Sequence, residues 1–456
     1  EHGLRPDTRS QGRRTTACGV MRVRLDTIRE CLEGIIPGHI VTHDRGGMPN
    51  VAFLSQVEYI DNEHVALSYQ FFNTTRRNIL DGSPVRLLLT SHLTAAQYRL
   101  SLQFLRTETA GPLFERMKAK LSGIAAHTGM AGVFHLLGSD IYRVLDIVAV
   151  PGATIAPPSL QVNCLNALRR STDRLADCIN LECLLEKAVD CLAKEFAIGH
   201  IMLLMHDEPR GCLFTLASRG YPQSGIGSEI PVGSGIIGIC ARERTPIRIG
   251  FMTSEYAYGR AVRDSLAADG HGDALETAIP LPGLPDAASQ MAVPIVAGGH
   301  LLGVIYVESD ADLHFGYDEA DALVAFAAYL GLAMQYHQQA EEPGDESEPV
   351  AGTPHPMSGP VLTVRHFAAN DSIFVGDDYL IKGVAGAILW ALLSDFVARG
   401  RTSFTNKGLR VDSRIRLPGV SDNLEARLVL LQRRLAERDA GIAIAKTRRG
   451  CFSLIV

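Results

Sequence analysis

The sequence predicts a multidomain α+β protein of three modules: an antiparallel β-barrel, an α/β sandwich and a small helix-and-hairpin domain. Three observations carry this. The chain has 456 residues, which suits about three domains of 100–200 residues each. Two Pro- and small-residue-rich stretches interrupt the apolar patterning, "VPGATIAPPS" at 150–159 and the acidic "AEEPGDESEPVAGTPHPMSGP" at 340–360. The second has too little apolar surface to bury and reads as a solvated linker. The apolar period also changes between modules, from alternation to a mixture of strands and helices. The expected boundaries are a disordered tail at 1–21, the barrel at 22–150, the sandwich at 160–340, the linker at 341–360 and the last domain at 361–456.

Composition sets limits on function. Apolar residues make up 46% and charged residues 21%, ordinary for a globular protein with a large core. No apolar run reaches the roughly 18–20 residues that span a bilayer, so no membrane segment is expected. The first twenty residues are polar and arginine-rich, without the apolar stretch of a secretory signal. Nine cysteines are scattered with no metal-ligand spacing, so reduced thiols, a cytoplasmic location and no metal are expected. Cys178, Cys183 and Cys191 fall on one predicted helix. Cys178 and Cys183 would lie about 140° apart there, on different faces. Charge is uneven. Residues 361–456 hold 15 Lys+Arg and 9 Asp+Glu, net +6, whereas the remainder holds 29 and 41, net −12. A basic module on an acidic body points to an anionic partner at one end.

The first module alternates. "HIVTHDRGGMPNVAFLSQVEYID" reads as strand, Gly-Gly turn, strand; "HVALSYQ", "PVRLLLTS" and "AAQYRLSLQFLRTE" add three more. A helix around "GPLFERMKAKLSGI" follows, and "VFHLLGSDIYRVLDI" reads as a closing strand pair. The middle module opens on a long helix. Leu165, Leu168, Thr172, Leu175 and Ile179 follow the 3-4 spacing of a coiled-coil seam, or of one amphipathic helix packed on its own domain. Strands at "HIMLLMHD" and "CLFTLAS", a helix at "GSGIIGICARE", paired strands at "QMAVPIVAGG" and "HLLGVIYVES", and the helix "YDEADALVAFAAYLGLAMQYH" complete a sandwich.

The last module is the most explicit. Asp422 and Glu425 give a capping-box-like start to a helix at 422–438. Leu424, Leu428, Leu431 and Leu435 form its apolar stripe, and Arg427, Arg434 and Arg438 align along one edge. "GIAIAK", "TRRG" and "CFSLIV" follow as strand, basic tip and strand. Such a helix can enter a major groove while the hairpin tip reaches phosphates beside it. Arginine suits both tasks because its planar fork binds a phosphate or a guanine edge with two bonds. With "TVRHFAANDSIFVGDDYL" and "KGVAGAILWALLSDFVARG" ahead of it, the layout resembles the winged-helix domain of response regulators. The resemblance implies DNA binding by Arg427, Arg434, Arg438, Lys446, Arg448 and Arg449. Cys451-Phe452 departs from the aromatic pair usual at the wing.

In the middle module, "GSGIIGICARERTPIRI", "MAVPIVAGGHLLGVIYVES" and "HFGYDEADALVAFAAYLGLAM" resemble a GAF domain. That family binds small ligands over its sheet or serves as a dimerising spacer. "FMTSEYAYGR" to "ALETAIP" is the region that would roof such a pocket, and His271 within it shows no ligand spacing.

"VALSYQFFNTTRRNILDGSPVRLLL", with the segments on either side, resembles the pyridoxamine 5′-phosphate oxidase-like, FMN-binding split barrel. The resemblance implies that Ser68, Gln70, Thr74, Thr75, Arg76 and Gln97 hold the flavin phosphate, and that the chain is a homodimer. A phosphate needs a guanidinium and several donors converging on one point. Thr74 stands where the family often has lysine. Haem is the alternative cofactor, with His39, His43, His64, His92, His127 and His135 as candidates. No constellation of catalytic residues is evident. The expected function is a cytoplasmic, signal-responsive transcription regulator, responding to redox state or a small molecule. The alternative is an FMN-dependent oxidoreductase regulated by its other domains, where the cofactor carries the chemistry.

Overall fold

The computed structural model describes residues 23–54, 56–70, 74–127, 136–157, 162–250, 279–339, 362–415, 417, 424–448 and 450–456. They form two compact units. The first comprises the chain up to Ala66, residues 72–105 and 141–156; the second comprises 67–71, 106–140 and everything from 157. The sandwich and the C-terminal module therefore share one unit. No described helix is long and apolar enough to cross a membrane.

A 3-10 helix, Leu25–Leu32, opens the described chain and buries Leu25, Ile28, Cys31 and Leu32. The barrel strands are β1 (Gly38–His43), β2 (Pro49–Leu54), β3 (Val57–Tyr59), β4 (His64–Tyr69), β5 (Val85–Thr90), β6 (Gln97–Glu108) and β7 (Gly138–Val150). They form one seven-stranded sheet in the order β2-β1-β5-β6-β7-β4-β3. Strand β5 shows why they are strands: Val85, Leu87 and Leu89 point inward while Arg86 is exposed. Two details differ from the expectation. Helix α1 (Thr74–Leu80), which is not among the expected elements, buries Thr75, Asn78 and Ile79. Of the expected closing strand pair, residues 133–135 lie outside the described part, and Gly138–Val150 form one long strand, β7. Helix α2 (Pro112–His127) lies between β6 and β7.

In the second unit, the expected long helix is two helices, α3 (Cys164–Ala176) and α4 (Leu181–Lys194). Each has an asparagine N-cap. Asn163 accepts from the Asn166 amide at 2.9 Å and Asn180 from the Cys183 amide at 2.8 Å. Cys178 therefore precedes α4 and does not share a helix with Cys183. On α3 the buried face is Ala167, Ser171 and Leu175, while Leu165 and Ile179 are 77% and 85% exposed. This is the burial of an amphipathic helix on its own domain; the two ends of the expected seam face outward.

Six antiparallel strands follow in the order β10-β9-β8-β13-β12-β11. They are β8 (His200–Asp207), β9 (Cys212–Arg219), β10 (Glu229–Pro231), β11 (Ile247–Ile249), β12 (Ser289–Ala297) and β13 (His300–Ser309). Both faces are covered, so the central strands are apolar throughout. Ile201, Leu203 and Met205 share one core with α3, α4 and helix α6 (Tyr317–Gln339). Met202 and Leu204 share the other with helix α5 (Gly235–Glu243).

The C-terminal module starts with a three-stranded sheet, β14 (Val364–Phe367), β15 (Ser372–Val375) and β16 (Asp378–Ile381). Helix α7 (Gly383–Arg399), strand β17 (Ser403–Thr405), helix α8 (Asn406–Val411), helix α9 (Leu424–Glu437) and the hairpin β18 (Ala443–Arg448) and β19 (Cys451–Ile455) complete it. Strand β19 lies between β17 and β18. Asp422 and the expected capping box lie outside the described residues. The apolar core of this module is continuous with that of α3, α4 and α6.

Candidate cofactor site and candidate nucleic-acid interface

In the first unit, α1 carries Thr74, Thr75 and Arg76. The Thr75 hydroxyl is buried and accepts from the Asn50 side-chain amide at 2.8 Å. Asn50 is on β2 and was not singled out from the sequence. Thr74 is exposed and Arg76 half-buried, its guanidinium 5.5 Å from the centre of the Phe104 ring. Phe104 meets Tyr142 edge-on at 5.6 Å. Burial pushes the Tyr142 phenol up, and the positive charge of Arg76 pulls it partly back. Thr74, Thr75 and Arg76 are of the types that bind a phosphate ester, but as consecutive residues of a helix they point to different sides of it.

Gln97 is not brought to this set. It is exposed at the start of β6, paired with Thr90, and Phe104 is seven residues further along the same strand. At 3.2–3.4 Å per residue that is roughly 23 Å. In the second unit, the buried Gln70 amide donates to Ser68 Oγ at 3.2 Å, and among the described residues Gln70 Oε1 has no hydrogen-bond partner.

Among the described residues, the histidines considered for haem each have a different neighbour. His39 packs on Phe53 at 4.9 Å, His43 contacts the Asp44 carbonyl at 2.8 Å, and His64 pairs with Asp61 at 2.9 Å. His92 is half-buried, and the side chains of His127 and His135 lie outside the described part. Among the described residues no three His, Cys, Asp or Glu side chains are placed to hold a metal.

On the α5 side of the second sheet, Glu308 is fully buried and accepts four hydrogen bonds. Tyr306 and Gln290 donate to Oε1 at 2.6 and 2.9 Å; Tyr221 and the Leu284 amide donate to Oε2 at 3.0 and 2.9 Å. This polar floor escaped the sequence reading because its partners come from four separate segments. The expected pocket roof, including His271, lies outside the described residues.

The arginine edge of α9 is not an exposed edge, and the expectation for it is corrected. Arg427 is 4% exposed. Its Nη2 lies 2.9 Å from Asp207 Oδ2, and its guanidinium sits 4.6 Å over the Phe214 ring. Arg434 is 2% exposed; Nε donates to the Leu380 carbonyl at 3.1 Å and Nη1 to Glu437 at 2.6 Å. Burial pushes the Arg434 guanidinium pKa down, and Glu437 opposes the shift. Arg433, not singled out before, donates to the Leu216 carbonyl at 2.8 Å. Spacing did place Arg427 and Arg434 on one side of the helix, but Asp207 and Phe214 cover Arg427, and Arg434 is bound to Leu380 of β16 and to Glu437. Arg438, Lys446 and Arg448 are exposed. Lys446 pairs with Glu425 at 3.0 Å, and Arg448 Nε lies 3.2 Å from Cys451 Sγ. Arg449 lies outside the described residues.

Residues 180–334 match the family model of the GAF domain. No curated protein matches the chain. Among solved structures, the chain is similar to the GAF domain of a phosphoenolpyruvate-protein phosphotransferase from Coxiella burnetii. The identity is 22% and the TM-score 0.30, over 39% of this chain and 96% of that one. An FMN-binding protein from Syntrophomonas wolfei aligns at 17% identity and TM-score 0.24, over 28% and 86%. HupZ from Group A Streptococcus aligns at 20% identity and TM-score 0.21, over 26% and 95%.

Proposed function

We propose that this chain is a signal-responsive transcription regulator of the cytoplasm, in which an FMN-binding-like split barrel and a GAF sensor control a winged-helix, DNA-binding module. The observation that carries the output is the C-terminal layout itself. A small sheet, three helices and a hairpin present Arg438, Lys446 and Arg448 at the surface, in a module whose net charge is opposite to that of the rest. Phosphate contacts of this kind supply most of the affinity for a duplex. On the input side, Thr74, Thr75, Arg76 and Asn50 would hold the phosphate of a flavin. Bound flavin would supply redox chemistry; the side chains would bind and orient it. The partner copy of a homodimer fits the outward face of β2, where Val51 and Phe53 are 64% and 76% exposed. Selection of duplexes from a random-sequence pool by the full chain tests the output. Enrichment of one sequence, with affinity that falls as salt rises, is expected; no enrichment and no salt-dependent binding would contradict it.

A flavin-dependent oxidoreductase is the second reading, favoured by the donor set around Arg76. It requires the full chain to oxidise NADPH well above the rate of free FMN.

A further inference from the structure

Helix α9 is buried on two sides. Leu424, Leu428, Leu431 and Leu435 are buried in the apolar core that runs through both modules. The flank that carries Arg427 and the far side that carries Arg433 face the GAF domain. Arg427 meets Asp207 at 2.9 Å on the last residue of β8 and lies over Phe214 of β9. Arg433 donates to the Leu216 carbonyl of β9 at 2.8 Å and approaches Glu186 of α4 at 3.9 Å. Glu437 receives the Ser224 hydroxyl. Beyond the helix, Glu229 of β10 pairs with Lys382 at 3.2 Å, beside its pair with Arg210. Between Leu424 and Leu431 every residue except Glu425 is buried. A helix that enters a major groove must leave the side opposite its own core open. Here that side is closed, and protein groups stand where nucleic acid would: a carboxylate on Arg427, a carbonyl on Arg433.

We infer that the GAF domain holds the DNA-reading helix in an occluded state, with Asp207 standing in for a phosphate on Arg427, and that the sensor's signal acts by releasing it. This rests on the DNA-binding reading above. An occluded majority lowers apparent affinity by the fraction of chains that are open. A signal can open them only if its ligand binds the released arrangement better. The contact surface suits such a switch. It is built partly of ion pairs and single hydrogen bonds, which water and phosphate can replace.

The first arm perturbs only the GAF side, leaving the α9 side chains intact. In full-length Asp207→Lys an ammonium replaces the carboxylate beside Arg427. Amide hydrogen exchange over 424–437 should rise, and affinity for a mixed-sequence duplex at low salt should rise about tenfold. As an independent arm, Ser224→Cys and Glu437→Cys are joined by a short bismaleimide; the joined chain should lose duplex binding that the unjoined chain keeps. This arm leaves Asp207 untouched and holds if the lysine variant fails to fold. Equal affinity in wild-type, Asp207→Lys and joined chains would overturn the occlusion while leaving DNA binding standing. Faster exchange in Asp207→Lys with no duplex binding in any state would instead remove the DNA reading, and the proposal with it.

Discussion

Arg427 and Asp207 meet at 2.9 Å with only 4% and 1% of their surfaces exposed. The contact lies off the hydrogen-bond axis, since neither Asp207 oxygen has a hydrogen-bond partner. The pair is thus chiefly coulombic, helped by the Phe214 face beneath the guanidinium. Removing one member of such a pair strands a buried charge. Arg427→Met should destabilise the unit by about 3–5 kcal/mol, and adding Asp207→Leu should restore most of the loss. Urea unfolding of the single and double variants measures this. Equal losses in the two would show that packing, not charge, governs the site.

Asp190 ties α3, α4 and β9 together. Arg174, Lys194 and Arg219 lie 2.6, 2.8 and 3.3 Å from its carboxylate. Lys194 first, then Arg174, hold its pKa down to about 2 against an ordinary 3.8. A lowered folded-state value means the group's stabilising effect is complete above the unfolded value and disappears as pH falls through the folded one. The stability gap between wild type and Asp190→Asn should be constant above about pH 5 and close between about pH 4 and 2. Denaturant midpoints at stepped pH read it; a gap that persists at pH 2 would assign the effect to packing.

The cysteines should separate by access. Burial, then Cys183 nearby, pushes the Cys178 thiol up to about 12, and burial pushes Cys240 up further. Cys164 is raised to about 11 by burial and by Glu319. Cys183 is half-buried at the first turn of α4. Since thiolates are the reactive form, native alkylation at pH 8 should modify Cys183 before the other described cysteines and Cys240 only after unfolding. Mass spectrometry of timed samples decides it; early labelling of Cys240 would mean that the α5 core opens readily.

Gly386 sits in α7 where a Cβ would lie 1.9 Å from the Asp371 carbonyl. Backbone against backbone cannot yield cheaply. Gly386→Ala should cost about 1–3 kcal/mol despite alanine's better helix propensity, by forcing α7 away from β15. Thermal unfolding reads the sign.

Elements set by local periodicity and capping were legible in the sequence; what covers them was not. The alternation of β5 and the paired strands β12 and β13 could be read directly. The break between α3 and α4 was also encoded, since Asn180 is a strong N-cap, yet apolar spacing across it masked the signal. The seven residues of α1 escaped notice because two threonines and two arginines leave little apolar face to read. Arg427 and Arg434 were placed correctly on one side of α9. That Asp207 and Phe214 cover Arg427 depends on residues some 200 positions earlier, and helix periodicity carries no such information. Gln97 was attached to the phosphate site by resemblance, and strand length separates it.

The most direct test of DNA recognition is the dependence of duplex affinity on salt, measured for the full chain and for Arg438→Glu with Lys446→Glu. Each phosphate contact adds about 0.9 to the slope of log affinity against log salt. Wild type should show a steep slope, and the double variant a slope shallower by about 2 with weaker binding. Identical slopes and affinities would mean that this basic surface does not meet DNA.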